Sequence, residues 1–146
     1  MLYFDSLSHS SLKKLHLYDT YLHDLIFQEI DFCDQISIEK SDNFIFKSNV
    51  DWLDNKNNTC VKAFEIVKQE FPHISNVKIF LKKNVPTNAG LGGGSSNGTA
   101  VIKTLNKLFS LGISKKKLFQ LSKKVSADSP FFIEGGTQFG EGTGDK

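Results

Sequence analysis

The chain contains no arginine: all 18 of its basic residues are lysines, set against 16 acidic ones. The planar guanidinium fork that reads guanine edges or grips phosphate bidentately is therefore missing, and a bound anion must be held by backbone amides and lysine. A net charge of +2 is too small to announce a nucleic-acid partner. The lysine clusters at 82–83, 115–117 and 123–124 read as solvated faces. Cysteine is scarce too. Cys33 and Cys60 stand apart without the CxxC spacing of a metal or redox site, so both read as buried thiols in a reducing compartment. No stretch approaches the roughly 18 apolar residues of a membrane span. Residues 1–10 lack the basic start and apolar segment of a secretory leader. The expected location is the cytoplasm, or a plastid if the source is eukaryotic.

At 146 residues, with 39% hydrophobic and 23% charged, the chain has the size of one core, so a single domain over 1–146 is expected, with 1–10 disordered or unrelated to the rest. Leu15 and Leu17 alternate with Lys14 and His16, predicting a short strand within 11–18. Residues 25–32, 35–40 and 43–47 are each β-rich and divided by polar breaks at Asp34 and Ser41-Asp42, which predicts a meander or hairpin set. Val61, Phe64, Val67 and Phe71 recur at helical spacing until Pro72, so a helix is expected over 59–71. Val77, Ile79 and Leu81 then alternate as a strand. After a glycine-rich stretch, Val101, Ile102, Leu105, Leu108 and Phe109 form one helical stripe with Gly112 as its expected C-terminal cap. Ser114 opens a further helix with Leu118, Leu121 and Val125 inward, and residues 130–133 are expected to form a strand.

The stretch between that strand and helix organises the rest. Residues 90–94 hold four glycines in five positions and Ser95-Ser96 follow, a backbone stripped of Cβ atoms where a helix begins. A helix N-terminus presents unpaired N–H groups and the positive end of its macrodipole, so an anion, phosphate above all, is the natural guest. Three known designs can be tested. A Walker A loop needs lysine and a hydroxyl after its last glycine, but Gly94 is followed by Ser95-Ser96-Asn97 and the next lysine is Lys103. A dinucleotide fingerprint needs glycine at its sixth position, which is Ser95 counted from Gly90 and Asn97 counted from Gly92. The protein-kinase set requires His-Arg-Asp, impossible without arginine.

What remains, Pro-x-x-x-Gly-Leu-Gly-Gly-Gly-Ser-Ser at 86–96, resembles the GHMP small-molecule kinase superfamily. The third glycine resembles the branch acting on a cytidyl-diphospho methylerythritol in non-mevalonate isoprenoid synthesis. Two further stretches agree: Ser126-Ala127-Asp128-Ser129-Pro130-Phe131-Phe132 looks like that branch's Gly-Ala-Asp-x-Pro-Phe-Phe, and Gly135-Gly136-Thr137 matches its Gly-Gly-Thr. The resemblance implies an α/β (α+β two-layer) fold of the ribosomal-S5-domain-2-like type, a mostly antiparallel sheet backed by helices. It also implies ATP and Mg2+ as cofactors, a small-molecule substrate, and phosphorylation of an alcohol. Pro86, Thr87, Asn88, Ala89, Gly90, Leu91, Gly92, Gly93, Gly94, Ser95 and Ser96 would wrap the triphosphate, with a serine hydroxyl reaching phosphate or Mg2+. Asp128 would be the general base. Lys14 would match a strand lysine that holds base and acceptor, and His23, in Tyr21-Leu22-His23-Asp24-Leu25, would lie at the cytidine site, although Leu22 stands where the family carries a stacking ring. The resemblance covers about the first half of such a kinase, so a second domain is expected to be missing and the chain to be a fragment. A mevalonate- or homoserine-type kinase, or an inactive nucleotide-binding fragment, remain the alternatives.

Overall fold

The computed structural model describes residues 7–16 and 25–140, and for 7–16, 25 and 140 it describes the backbone alone. One five-stranded sheet carries the fold. Strand β1 (Leu7–His16) pairs antiparallel with β2 (Leu25–Ser41), which is 17 residues long. The far edge of β2 is shared between two partners: β4 (Asn76–Lys82) runs antiparallel along residues 35–41, and β5 (Thr137–Gly140) along residues 25–28. Strand β3 (Ile45–Ser48) lies outside β4 and parallel to it. The order is β1-β2-β4-β3, with β5 on β2. β1 starts at Leu7, so part of the segment expected to stand apart from the domain pairs with residues 33–36 of β2.

Two expectations need correction here. Asp34 does not end a strand, because β2 passes through it. The register shifts between Ser10 and Ser11, so that Ser10 faces Cys33 while Ser11 faces Ile30. Such an irregularity changes which residues point to the core: Phe27 is buried before it, and Asp34, Ile36 and Ile38 are buried after it. Odd positions face inward on one side and even positions on the other. In sequence this phase change looks like two strands. β3 does not continue a meander from β2 either, since it crosses to the outer edge of β4.

Helices cover one face. Helix α1 (Thr59–Glu70) starts at Asn58, whose Oδ1 accepts the Cys60 N–H at 2.9 Å, and stops ahead of Pro72, where an X-Pro step disfavours helix. Helix α2 (Gly93–Leu108) ends with Ser110 at φ +51°, so the left-handed residue closing it is Ser110 and Gly112 (φ +62°) lies beyond. Helix α3 (Lys115–Val125) is capped by Ser114 Oγ, which accepts from Lys117 N–H at 3.3 Å. Between the helices and the sheet, Ile36, Ile38, Val77, Ile79 and Leu81 meet Phe64, Val67, Val101, Ile102, Leu105, Leu121 and Val125 in one core. The opposite face exposes Ile45 and Phe80 among lysines.

The expected strand at 130–133 is instead one helical turn, α4 (Phe131–Glu134). Pro130 sits at φ −58°, ψ −35° and starts the turn, and Gly135 N–H closes it on the Phe131 carbonyl at 3.0 Å. Phe131 and Phe132 form a small core of their own with Phe27.

Candidate active site

The site begins at a buried carboxylate. Asp34 is 1% exposed, and its oxygens accept from Lys83 Nζ at 2.6 Å, Asn84 N–H at 2.7 Å, Val85 N–H at 2.8 Å and Asn97 Nδ2 at 2.8 Å. One side chain from β2 thus fixes both the chain leaving β4 and the first turns of α2. The loop between them is held in a conformation that L side chains resist, with Asn88 at φ +59°, Gly90 at +71° and Gly92 at +65°. Gly93 is needed for a different reason. A Cβ there would come within 3.1 Å of Lys83 Nζ and 3.3 Å of Val85 Cγ1.

Gly92 is the N-cap of α2 and offers no side chain to cap it; the first intrahelical bond runs from Ser96 N–H to the Gly92 carbonyl at 2.9 Å. The N–H groups of Gly93, Gly94 and Ser95 come before that bond, where a helix leaves its donors open. They border a cavity of about 350 Å³ whose wall runs along 86–95 on one side and Trp52, Leu53 and 57–59 on the other, with Lys83 and Asn97 contributing. Thr59 Oγ1 donates to the Gly94 carbonyl at 2.7 Å and ties α1 to this rim. Asn97 Oδ1 is buried with no hydrogen-bond partner among the described residues.

The two serines divide. Ser95 is on the cavity wall, whereas Ser96 is 1% exposed and donates to the Gly93 carbonyl at 2.9 Å, away from that wall. Asp128 is half-buried in the turn after α3 and does not line the cavity, but Ser129 beside it touches Ser95, which does. Ser129 Oγ lies 3.2 Å from the Ser95 carbonyl, and Thr99 Oγ1 donates to the Ser129 carbonyl at 2.8 Å. On the far side of α2, Lys103 Nζ lies 3.5 and 3.4 Å from the carbonyls of Phe132 and Ile133. Burial pushes its ammonium pKa down, with Lys107 adding to the shift. The Asp128 turn is therefore bound to α2 from both ends. Lys14 is placed by its backbone opposite Phe27, whose ring lies 5.6 Å from that of Phe131. His23 lies outside the described residues.

Sequence reasoning passes over Asp34 and Asn97 as site residues, and it reads Lys83 as part of a solvated face, whereas that side chain is only 8% exposed because it is turned in to pair with Asp34. Asp34 was mistaken for a break because polarity within a β-rich run usually signals one, and only the even-numbered phase it shares with Ile36 and Ile38 marks it as inward.

A strand entering a glycine-rich helix N-terminus beside a turn that carries an acid is the frame of a phosphate-binding α/β domain, and the GHMP kinases N terminal domain family matches residues 58–136. The chain belongs to that family. It is 42% identical over 125 residues to the 4-diphosphocytidyl-2-C-methyl-D-erythritol kinase of Caldicellulosiruptor saccharolyticus, covering 83% of this chain and 43% of that protein. The kinase of the same name from Persephonella marina is 36% identical over 127 residues, 85% of this chain and 46% of its own length. The chain thus spans less than half of these relatives. Among solved structures, a 4-(cytidine 5'-diphospho)-2C-methyl-D-erythritol kinase superposes with a TM-score of 0.80 at 25% identity over 95% of this chain and 52% of that one. The Methanococcus jannaschii mevalonate kinase shares the fold, with a TM-score of 0.75 at 16% identity over 97% of this chain and 54% of its own. No helix among the described residues is long and apolar enough to cross a membrane.

Proposed function

We propose that the chain forms the ATP-binding part of a kinase that transfers the γ-phosphoryl group of ATP to an alcohol of 4-diphosphocytidyl-2-C-methyl-D-erythritol. The observation that carries this reading is the uncapped N-terminus of α2, opening on a cavity of about 350 Å³ and bonded through Ser95 to the turn that holds Asp128. Identities of about 40% to curated kinases of that name, and of 25% to a solved one against 16% to a solved mevalonate kinase, favour this acceptor over mevalonate.

Phosphoryl transfer needs positioning and charge neutralisation more than covalent help. The amides of Gly93, Gly94 and Ser95 supply donors for the phosphates at the positive end of α2, while Lys83 on the cavity wall is charge-paired with Asp34. Asp128 takes the proton of the acceptor hydroxyl onto its carboxylate as the new P–O bond forms. Lys14, on the neighbouring strand, holds acceptor and base together by charge, and His23 contacts the cytidine. Among the described residues no three His, Cys, Asp or Glu side chains cluster as a metal cage. Mg2+ keeps its waters and binds mainly through substrate phosphates, so phosphates seated at the α2 amides would bring it to this wall. Bound there, it would neutralise phosphate charge.

ADP release measured with 4-diphosphocytidyl-2-C-methyl-D-erythritol, mevalonate and homoserine in parallel tests the assignment. The first is expected to turn over and the others not. Asp128→Asn should abolish transfer and leave ATP binding intact; undiminished turnover in that variant would overturn the role of Asp128. ATP binding without ADP release on any acceptor would leave a nucleotide-binding module instead.

A further inference from the structure

Three hydroxyls join the phosphate loop to the Asp128 turn. Ser126 follows the last residue of α3 in an extended conformation, φ −163° and ψ 165°, and its Oγ donates to Ser95 Oγ at 2.8 Å. Ser129, fully buried, places its Oγ 2.6 Å from Ser126 Oγ and 3.2 Å from the Ser95 carbonyl. Each hydroxyl has a single proton to give. Ser126 spends its proton on Ser95, so the single Ser129 proton is shared between Ser126 Oγ at 2.6 Å and the Ser95 carbonyl at 3.2 Å. Ser95 Oγ, already an acceptor, keeps its own proton for something else, and it stands on the cavity wall beside the open amides of α2.

We propose that Ser126 is a positioning residue that orients the Ser95 hydroxyl as a donor to a phosphate oxygen. Ser129 holds it in place. The pair thereby couples occupancy of the glycine loop to the placement of Asp128, which lies between them in the chain. This rests on the nucleotide-binding reading of the cavity. In Ser126→Ala, Ser95 loses the group that donates to it, and its proton is free to turn toward other acceptors.

The test is calorimetric titration of this chain with Mg·ATP and with inorganic triphosphate, with thermal denaturation alongside. Ser126→Ala should weaken both ligands about tenfold, the range of one hydrogen bond to a charged group. Ser126→Thr, which keeps the hydroxyl, should bind within about twofold of the wild type. Ser95→Ala should weaken binding as well, and adding Ser126→Ala to it should cost nothing further, because the second residue acts through the first. Unchanged affinity in Ser126→Ala overturns the proposal while leaving the nucleotide reading in place. So do additive losses in the double variant, and so does a loss that threonine fails to rescue. A wild-type chain that binds neither ligand overturns the nucleotide reading itself.

Discussion

Asp34 shows how much a single buried residue can organise. Its two oxygens accept four hydrogen bonds, and its ion partner Lys83 is itself only 8% exposed at the side chain. Removing one member of a buried pair strands the other without water, so Asp34→Ala should cost about 3 kcal/mol or more in urea denaturation. Combining it with Lys83→Met should recover part of that loss, since no unpaired ammonium then remains. A loss under about 1 kcal/mol would mean that water reaches the pair. The cysteines separate at this scale too. Cys33 is half-exposed, against the expectation of two buried thiols, whereas Cys60 is fully buried. Burial, with the nearby Asp34 carboxylate adding to it, pushes the Cys60 thiol up to about 12 from an ordinary 9.0. The folded state therefore keeps a proton that the unfolded state releases. Its contribution is intact below pH 9 and falls by about 1.4 kcal/mol per pH unit between roughly 9 and 12. Aromatic disulfide reagents at neutral pH should label one thiol in the native chain and two after denaturation, and Cys60→Ala should flatten the alkaline slope of stability.

At the scale of elements, local periodicity reported what local forces decide and missed what neighbours decide. Helix α1 was legible because its caps and stripe are internal to it: Asn58 before, Pro72 after, and Val61, Phe64 and Val67 inward. The single long β2 was not, because its inward face changes phase where β1 shifts register, and nothing within β2 itself records its partner. Pro-Phe-Phe-Ile is apolar without a period and reads as a strand in sequence, whereas it forms the α4 turn. Its geometry is set by Ser129, bound to α2, and by Phe131 seeking Phe27. The same tightness governs Gly98, where α2 packs against Thr59 of α1 and Val125 of α3. A Cβ there would lie 2.6 Å from Val125 Cγ1 and 3.2 Å from the Thr59 carbonyl. Gly98→Val should destabilise by about 2 kcal/mol, because overpacking at a helix crossing outweighs the helix propensity gained by replacing glycine. An unchanged melting temperature would show that α2 and α3 separate freely.

For the molecule as a whole, the glycine loop was the most legible feature and its surroundings the least. Its residues are contiguous in sequence, while the cavity also draws on Trp52, Leu53, Thr59 and Lys83 from three other segments. A ligand held across those segments should stabilise all of them together. At a hundred times its dissociation constant, Mg·ATP would add about 2.7 kcal/mol. For a chain of this size that is a rise of roughly 5 to 10 °C in the melting temperature. Gly90→Ala gives the sharpest control. A Cβ at Gly90 would meet nothing within 4 Å, so the substitution creates no clash in the protein, but φ there is +71°. The left-handed backbone costs an L residue about 1–2 kcal/mol, which draws the loop away from its binding conformation. The variant should melt slightly lower than the wild type without ligand and show little of the nucleotide-induced rise. A full ligand-induced rise in Gly90→Ala would mean that the nucleotide does not require this loop conformation, and the amides at the start of α2 would lose their place in the proposed site.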